Sequence, residues 1–69
     1  MNELYLVVEL QCFGDQLSSI TTSYSSLQEA QHKFHTVAAA AAISEVEKHS
    51  VSILNSDGFS IECAHFIHK

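Results

Sequence analysis

Five histidines among 69 residues are the side chains of this sequence best suited to bind a metal or to transfer a proton. Zinc needs three or four Cys or His ligands that converge on one point. His35, His49 and the C-terminal His68 would converge if a helix carrying His35 ended near the last hairpin. No pair has the spacing of a C-x₂-C or H-x₃-H motif, so we expect exposed or hydrogen-bonded histidines, with no metal and no cofactor.

Two cysteines and two acids are the other reactive candidates. Alternation along the predicted strands places Cys12 and Cys63 on the inward face of the sheet, where we expect buried thiols and no disulfide. Cys63 and His65 share a strand face, the arrangement of a cysteine nucleophile with its base. The sequence indicates no oxyanion hole or cleft to serve them, and Glu45 and Glu47 lie in a predicted solvated loop. We therefore expect no catalytic residues and no enzyme activity.

The composition argues against several classes of function. The net charge is −5, with three lysines and no arginine, so few groups are available to neutralise phosphate and we expect no nucleic-acid partner. The acids are scattered, which is typical of a solvated surface. No apolar run approaches the ~20 residues of a membrane-spanning helix, and the first residues lack the basic start of a signal peptide. We therefore expect a folded protein of the cytoplasm with no membrane partner.

These side chains must be positioned by a few short elements. Residues 3–13 alternate as a strand whose two faces both begin apolar. The β-branched run within residues 17–24 favours a returning edge strand, with a polar loop as the alternative. Residues 51–54 and 59–67 form the clearest hairpin, because the Asp-Gly pair that ends at Gly58 is a strong turn signal.

A helix over residues 26–42 is the element around which the rest is arranged. Ser26 and Glu29 fit the S-x-x-E capping box, and the alanine run that follows is an excellent helix former. An apolar stripe at helical spacing is predicted to face the core, and it consists of Leu27, Ala30, Phe34, Val37, Ala38 and Ala41. Ala39, Ala40 and Ile43 would point outward. Either alanine is simply tolerated there, or a second chain packs closely against these small side chains, and we expect the second chain.

The predicted fold is a single α+β domain over residues 1–69, a small antiparallel sheet with one helix packed on one face. The element order is β-β-α-β-β, or β-α-β-β if residues 17–24 are a loop. One helix covers only one face of a four-stranded sheet, and the opposite face would carry Tyr5 and Val7, with Phe66 as a further member. Such a face is costly to leave in water, so we expect a homodimer or higher oligomer whose interface includes these residues and the outward helix positions.

Several stretches resemble short uncharacterised proteins of phages and prophages of Firmicutes. The likeness is carried by residues 5–11, 35–44 and 49–54, with Gly58 and the terminal His68. It spans most of the chain at the level of pattern and implies no activity and no residue roles. It implies a context, which is a small protein from a phage or another mobile element.

This context favours a non-enzymatic binding protein that acts in the host cytoplasm. Such a protein would inhibit a host factor, for example a defence component, by occluding a protein surface or by sequestering a small signalling molecule. The alternative is a structural or assembly accessory of the virion. A second alternative, from a different class, is a histidine-based metal-binding protein.

Overall fold

A computed structural model describes residues 4–68 of the chain. It contains one helix, α1, and a four-stranded antiparallel sheet in the order β2-β1-β3-β4. The elements in chain order are β1 (Tyr5–Phe13), β2 (Gln16–Tyr24), α1 (Leu27–Ala42), β3 (Lys48–Asn55) and β4 (Ser60–Ile67). The predicted fold class and the order β-β-α-β-β are confirmed, and the stretch left open between strand and loop is a strand.

Both hairpins close through glycines that adopt a positive φ. Gly14 has φ 56° and is the first of the two residues between Phe13 and Gln16, as a type II′ turn requires. Gly58 has φ 88° in the longer turn between β3 and β4. That turn is also held by the Asn55 side chain, whose Oδ1 accepts hydrogen bonds from the backbone N–H groups of Asp57 and Phe59, each at 3.0 Å. The two turns therefore fix the register of both hairpins.

The helix begins where the capping pattern predicts. The Ser26 hydroxyl oxygen accepts a hydrogen bond from the backbone N–H of Glu29 at 3.4 Å and so satisfies one of the free donors of the first turn. At the other end the N–H of Ile43 bonds to the carbonyl of Ala40 at 3.3 Å, and the chain then leaves the helix axis.

The core lies between α1 and the two central strands, β1 and β3. Its buried members are Val7, Ala30, Phe34, Val37, Val51 and Ile53. The predicted helical stripe is confirmed: Ala30, Phe34, Val37 and Ala41 are buried, and the remaining two residues, Leu27 and Ala38, are half-buried. Helix periodicity therefore located the covered side of α1 correctly.

The structure contradicts the predicted assignment of the sheet faces. Val7 is only 2% exposed and Tyr5 packs against the same core, so both face α1 and neither is available on the uncovered side. Phe66 is opposite the buried His49 and shares the helix side. On β3 the odd residues Val51 and Ile53 are apolar and fully buried, whereas most even residues are serine or lysine. The helix therefore covers the face that β3 makes apolar.

The sheet face turned away from α1 is called the open face below. Its apolar residues are Leu6, Val8, Leu10 and Cys12 of β1, Leu17 of β2, Leu54 of β3, and Ile61, Cys63 and Ile67 of β4. The remaining positions are small hydroxyl residues, Lys48 and His65. Several of the apolar side chains are among the exposed large hydrophobics, so the chain leaves an apolar sheet surface uncovered.

Candidate functional site

A polar cluster lies under the C-terminal end of α1, against the helix side of the sheet. His49, on β3, is 5% exposed and is the only buried polar side chain in residues 4–68. Its Nε2 is 2.6 Å from Oε2 of Glu9, on the neighbouring strand β1. Gln11, next along the same face of β1, donates a hydrogen bond from Nε2 to the same Glu9 oxygen at 2.9 Å.

The ionisation of Glu9 is shaped by this cluster. Burial alone raises the pKa of the Glu9 carboxyl, because the charged form loses water. The hydrogen bonds from Gln11 and His49, with the positive charges of His49 and Lys33, outweigh that effect. The net result is a Glu9 pKa below its ordinary value of 4.5, which means that the folded protein favours the carboxylate.

Ser44 completes a Ser-His-Glu chain of contacts. Its Oγ lies 3.2 Å from Nδ1 of His49, so the cluster has the residue types of a nucleophile, a base and an orienting acid. The same hydroxyl donates to the carbonyl of Ala41 at 3.2 Å and accepts from the N–H of Val46 at 3.3 Å. It sits at the carbonyl end of the helix, where a developing oxyanion is repelled, so the contacts indicate a structural anchor for the loop.

The loop between α1 and β3 is fastened at two further points. The Glu47 carboxylate accepts a hydrogen bond from the backbone N–H of Gly14 at 3.2 Å, which ties the loop to the β1–β2 turn. The carbonyl of Glu47 accepts from the N–H of His68 at 2.8 Å, after the end of β4. Glu45 and Glu47 are both exposed loop residues, as predicted, and Glu47 in addition holds the loop in place.

The three histidines considered as metal ligands are not brought together. His68 directs Nε2 to the carbonyl of Ala41 at 3.0 Å, close to the contacts that Ser44 makes, and His49 is engaged on both ring nitrogens. His35 is exposed on α1 and packs edge-on against Phe34, with ring centroids 5.3 Å apart. Within residues 4–68 no group of three His, Cys, Asp or Glu side chains is placed to hold a metal ion.

The two cysteines lie on the open face, and their predicted inward placement is wrong. Cys12 is half-buried and Cys63 is exposed, and both are free thiols. They are on β1 and β4, which are separated by β3, and they pair with Lys48 and Ser52 respectively. Cys63 and His65 do share a strand face as predicted, but that face is an open sheet surface without an enclosed cleft.

A shallow depression crosses one end of the open face. It has a volume of about 390 Å³, and its walls include Leu10, Cys12, Leu17 and Ile67, with Lys48 as the charged group.

The chain matches none of the protein-family models, curated proteins or solved structures with which it was compared. No helix within residues 4–68 is long and apolar enough to span a bilayer. The geometry of this chain alone therefore identifies the open face as the candidate functional surface.

A second, smaller apolar surface lies at the C-terminal end of α1. Ala39, Ala40 and Ile43 point to solvent as predicted, and Ile43 is 87% exposed. These residues belong to the helix layer, whereas the open face is on the other side of the sheet. The open face contains many large apolar side chains, whereas this helix surface contains one, Ile43.

Sequence reasoning missed the Glu9–His49 pair because the two residues are 40 positions apart. One signal was available in the pattern: Glu9 is the only charged residue of β1 and interrupts an otherwise neutral strand. A carboxylate on a central strand needs a partner when it is covered, and the pattern did not show which face would be covered.

Proposed function

We propose that this chain is a small non-enzymatic binding protein that works as a homo-oligomer, encoded by a phage or prophage, and that it inhibits a host factor. The observation that carries the proposal is the open face, an apolar sheet surface on the side of the sheet that α1 does not cover. Monomeric proteins rarely leave contiguous apolar surfaces of several hundred Å² in water. Binding is therefore the function that this geometry supports best.

The occupant of the open face is proposed to be a second copy of the chain. Four strands about 4.8 Å apart and about eight residues long, at about 3.3 Å per residue, give a face of roughly 500 Å² before side-chain relief is counted. A standard interface buries about 800 Å² of accessible surface per partner, so two open faces are of the right size to pack on each other. The face has one lysine and no carboxylate, so two copies bring few like charges together.

The helix surface formed by Ala39, Ala40 and Ile43 remains free in such a dimer. We assign it to the binding of the host partner, with the contact to a second copy predicted from the sequence as the alternative. The partner is a host protein, with a small signalling molecule as the alternative. The phage context rests on the resemblance of residues 35–44 and 49–54, and action in the host cytoplasm follows from that context.

The oligomer is tested by light scattering with two matched variants. Leu10→Lys places a charge on the open face, and Ile43→Lys makes a similar change on the exposed end of α1. We expect the wild type and Ile43→Lys to be oligomeric and Leu10→Lys to be shifted towards monomer, with circular dichroism unchanged in all three. A wild type that remains monomeric at high concentration overturns the oligomer.

The partner is tested by affinity capture from host lysate with the wild type and Ile43→Lys. Capture of a host enzyme whose activity falls when the protein is added supports inhibition, provided that Ile43→Lys captures less of it. Association with virion proteins alone indicates an assembly accessory and overturns the inhibitor. A large thermal shift with a single signalling nucleotide supports the sequestering version.

A further inference from the structure

The strand β2 forms one edge of the sheet and has no charged residue, proline or bulge that would hinder pairing with another strand. Its nine residues include no charge and no proline, and all except Thr22 and Tyr24 are exposed. Its register with β1 is continuous over the full length. Natural edge strands are usually protected by charges, prolines, bulges or a covering element. The opposite edge, β4, has such protection, because it carries Glu62 and its register with β3 shifts near Ile53.

The turn geometry shows which backbone groups of β2 are free. In a two-residue hairpin the closing pair, here Phe13 and Gln16, exchanges both of its hydrogen bonds. Alternation then directs the even residues of β2 toward β1. The hydrogen bonds between β3 and β4 lead to the same result. The N–H of Asn55 donates to the carbonyl of Phe59, so the backbone groups of the odd residues of β3 point toward β4. The even residues of β3 therefore bond to the even residues of β1, which leaves the odd residues of β1 to bond to β2. The outward backbone groups of β2 belong to Leu17, Ser19, Thr21 and Ser23.

We infer that β2 pairs antiparallel with β2 of a second copy, with Ile20 opposite Ile20 of that copy. In this register Ser19 faces Thr21 and Leu17 faces Ser23 of the second copy, so each outward residue meets an outward residue. The four pairs exchange about eight hydrogen bonds. Moving the register by two residues in either direction leaves one outward residue without an outward partner within the strand.

The side chains are compatible with this pairing. Ile20 is 54% exposed on the helix side of the sheet. At the two-fold axis its side chain would pack against Ile20 of the second copy. Ser19 and Thr21 bring hydroxyl groups together on the open face, a favourable cross-strand pair. Because β2 has no charged residue, the pairing brings no like charges together.

This interface is separate from the face-to-face packing proposed above. It uses the edge of the sheet and joins two sheets side by side into one sheet of eight strands, so that the two open faces become a single continuous surface. A chain that uses both interfaces assembles beyond a dimer. The edge pairing is argued from strand geometry alone and stands whether or not the open faces pack together.

Disulfide trapping tests the register. In a background with both native cysteines replaced by serine, Ile20→Cys is compared with Ser18→Cys and Thr22→Cys, which lie on the same face of β2. Directly opposed residues of a non-hydrogen-bonded pair have Cα atoms about 4.5 Å apart, within reach of a disulfide. Ser18 is instead opposite Thr22 of the second copy. The two Ser18 residues are about 13 Å apart, because four residues at about 3.3 Å each separate Ser18 from Thr22 along the strand.

We expect mild oxidation to give a covalent dimer of Ile20→Cys, with little of either control alone, and a covalent heterodimer when the two controls are mixed. The absence of an Ile20→Cys dimer, or equal cross-linking of all three variants, overturns the inference. Repeating the experiment with Leu10→Lys added separates the two interfaces. Cross-linking that persists there supports an independent edge, and cross-linking that disappears there overturns it, whatever light scattering shows for the open face.

A second variant checks the backbone contribution. Thr21→Pro removes one outward N–H without removing a bond to β1, and Thr21→Val keeps that N–H. We expect Thr21→Pro to reduce the yield of the Ile20→Cys dimer severalfold and Thr21→Val to leave it unchanged. Equal yields from both variants contradict backbone pairing through β2.

Discussion

Glu9 and His49 are 40 residues apart in the sequence and 2.6 Å apart in the structure, beneath the end of α1. The contact joins β1 to β3 on the covered side of the sheet, and through Ser44 it also reaches the loop that follows the helix. A largely buried carboxylate such as Glu9 costs desolvation and is maintained by the hydrogen bonds that it accepts. The cluster therefore stabilises the packing of the C-terminal end of α1 on the sheet.

The first prediction concerns the stability of the fold in acid. The Glu9 pKa is lower in the folded chain than its ordinary value of 4.5, so the folded state binds that proton more weakly than the unfolded state. The resulting stability is fully present above about pH 4.5 and is lost as the pH falls through the lower, folded pKa. We expect the free energy of unfolding, measured with urea, to decline across this acidic range.

A pair of variants isolates this effect. Glu9→Gln is expected to lower the free energy of unfolding at pH 7 by about 1 kcal/mol, because the amide keeps an acceptor oxygen but loses the charge that strengthens its hydrogen bonds. It should also weaken the acid dependence. Glu45→Gln changes an exposed carboxylate of the loop and should do neither. An unchanged acid dependence in Glu9→Gln contradicts the role assigned to Glu9.

The second prediction concerns the core. Phe34 is the largest buried side chain that α1 contributes, and replacing Phe with Ala in a core typically costs 3–5 kcal/mol. A domain of this size has little stability to spare, so Phe34→Ala is expected to be largely unfolded at 25 °C by circular dichroism. Ile43→Ala is the matched control on the exposed end of the helix and should melt like the wild type.

The sequence was sufficient to predict the elements and their order, because each was encoded locally. The Ser26 cap, the apolar stripe that includes Phe34 and the Asp-Gly turn each depend on residues a few positions apart. The start of β3 was placed too late, since Lys48 and His49 look like part of a polar loop. In the structure His49 is paired with Gln11 of β1 and Phe66 of β4, and its side chain contacts Glu9, all of which are distant in the sequence.

The faces of the sheet could not be predicted with the same rule. Val7 and Val8 are both apolar, so alternation along β1 defines two apolar faces and does not select one. The selection depends on which face β3 makes apolar and on where the helix returns, and both are non-local. The same error placed Cys12 on the covered side and Val7 in the interface. The sequence therefore predicted that one face of the sheet is apolar and not covered by the helix, but it assigned the wrong strand residues to that face.

The third prediction concerns metals. His49 has both ring nitrogens within hydrogen-bond distance of protein oxygens, and His68 Nε2 is bonded to the Ala41 carbonyl. Excess chelator is therefore expected to leave the melting temperature and the circular dichroism spectrum unchanged. Unfolding on chelation, or a zinc-dependent rise in melting temperature that disappears in His68→Ala, contradicts this and makes the histidines ligands.

The fourth prediction concerns the turn between β3 and β4. Asn55 Oδ1 accepts from two backbone N–H groups, and the backbone of Asn55 closes the same turn through the N–H of Gly58 and the carbonyl of Phe59, each at 3.0 Å. Asn55→Ala removes only the side-chain acceptor, and we expect a loss of about 1–2 kcal/mol in the free energy of unfolding. Asn55→Asp retains an acceptor oxygen and should lose much less. Equal losses in the two variants would show that the acceptor is not what stabilises the turn.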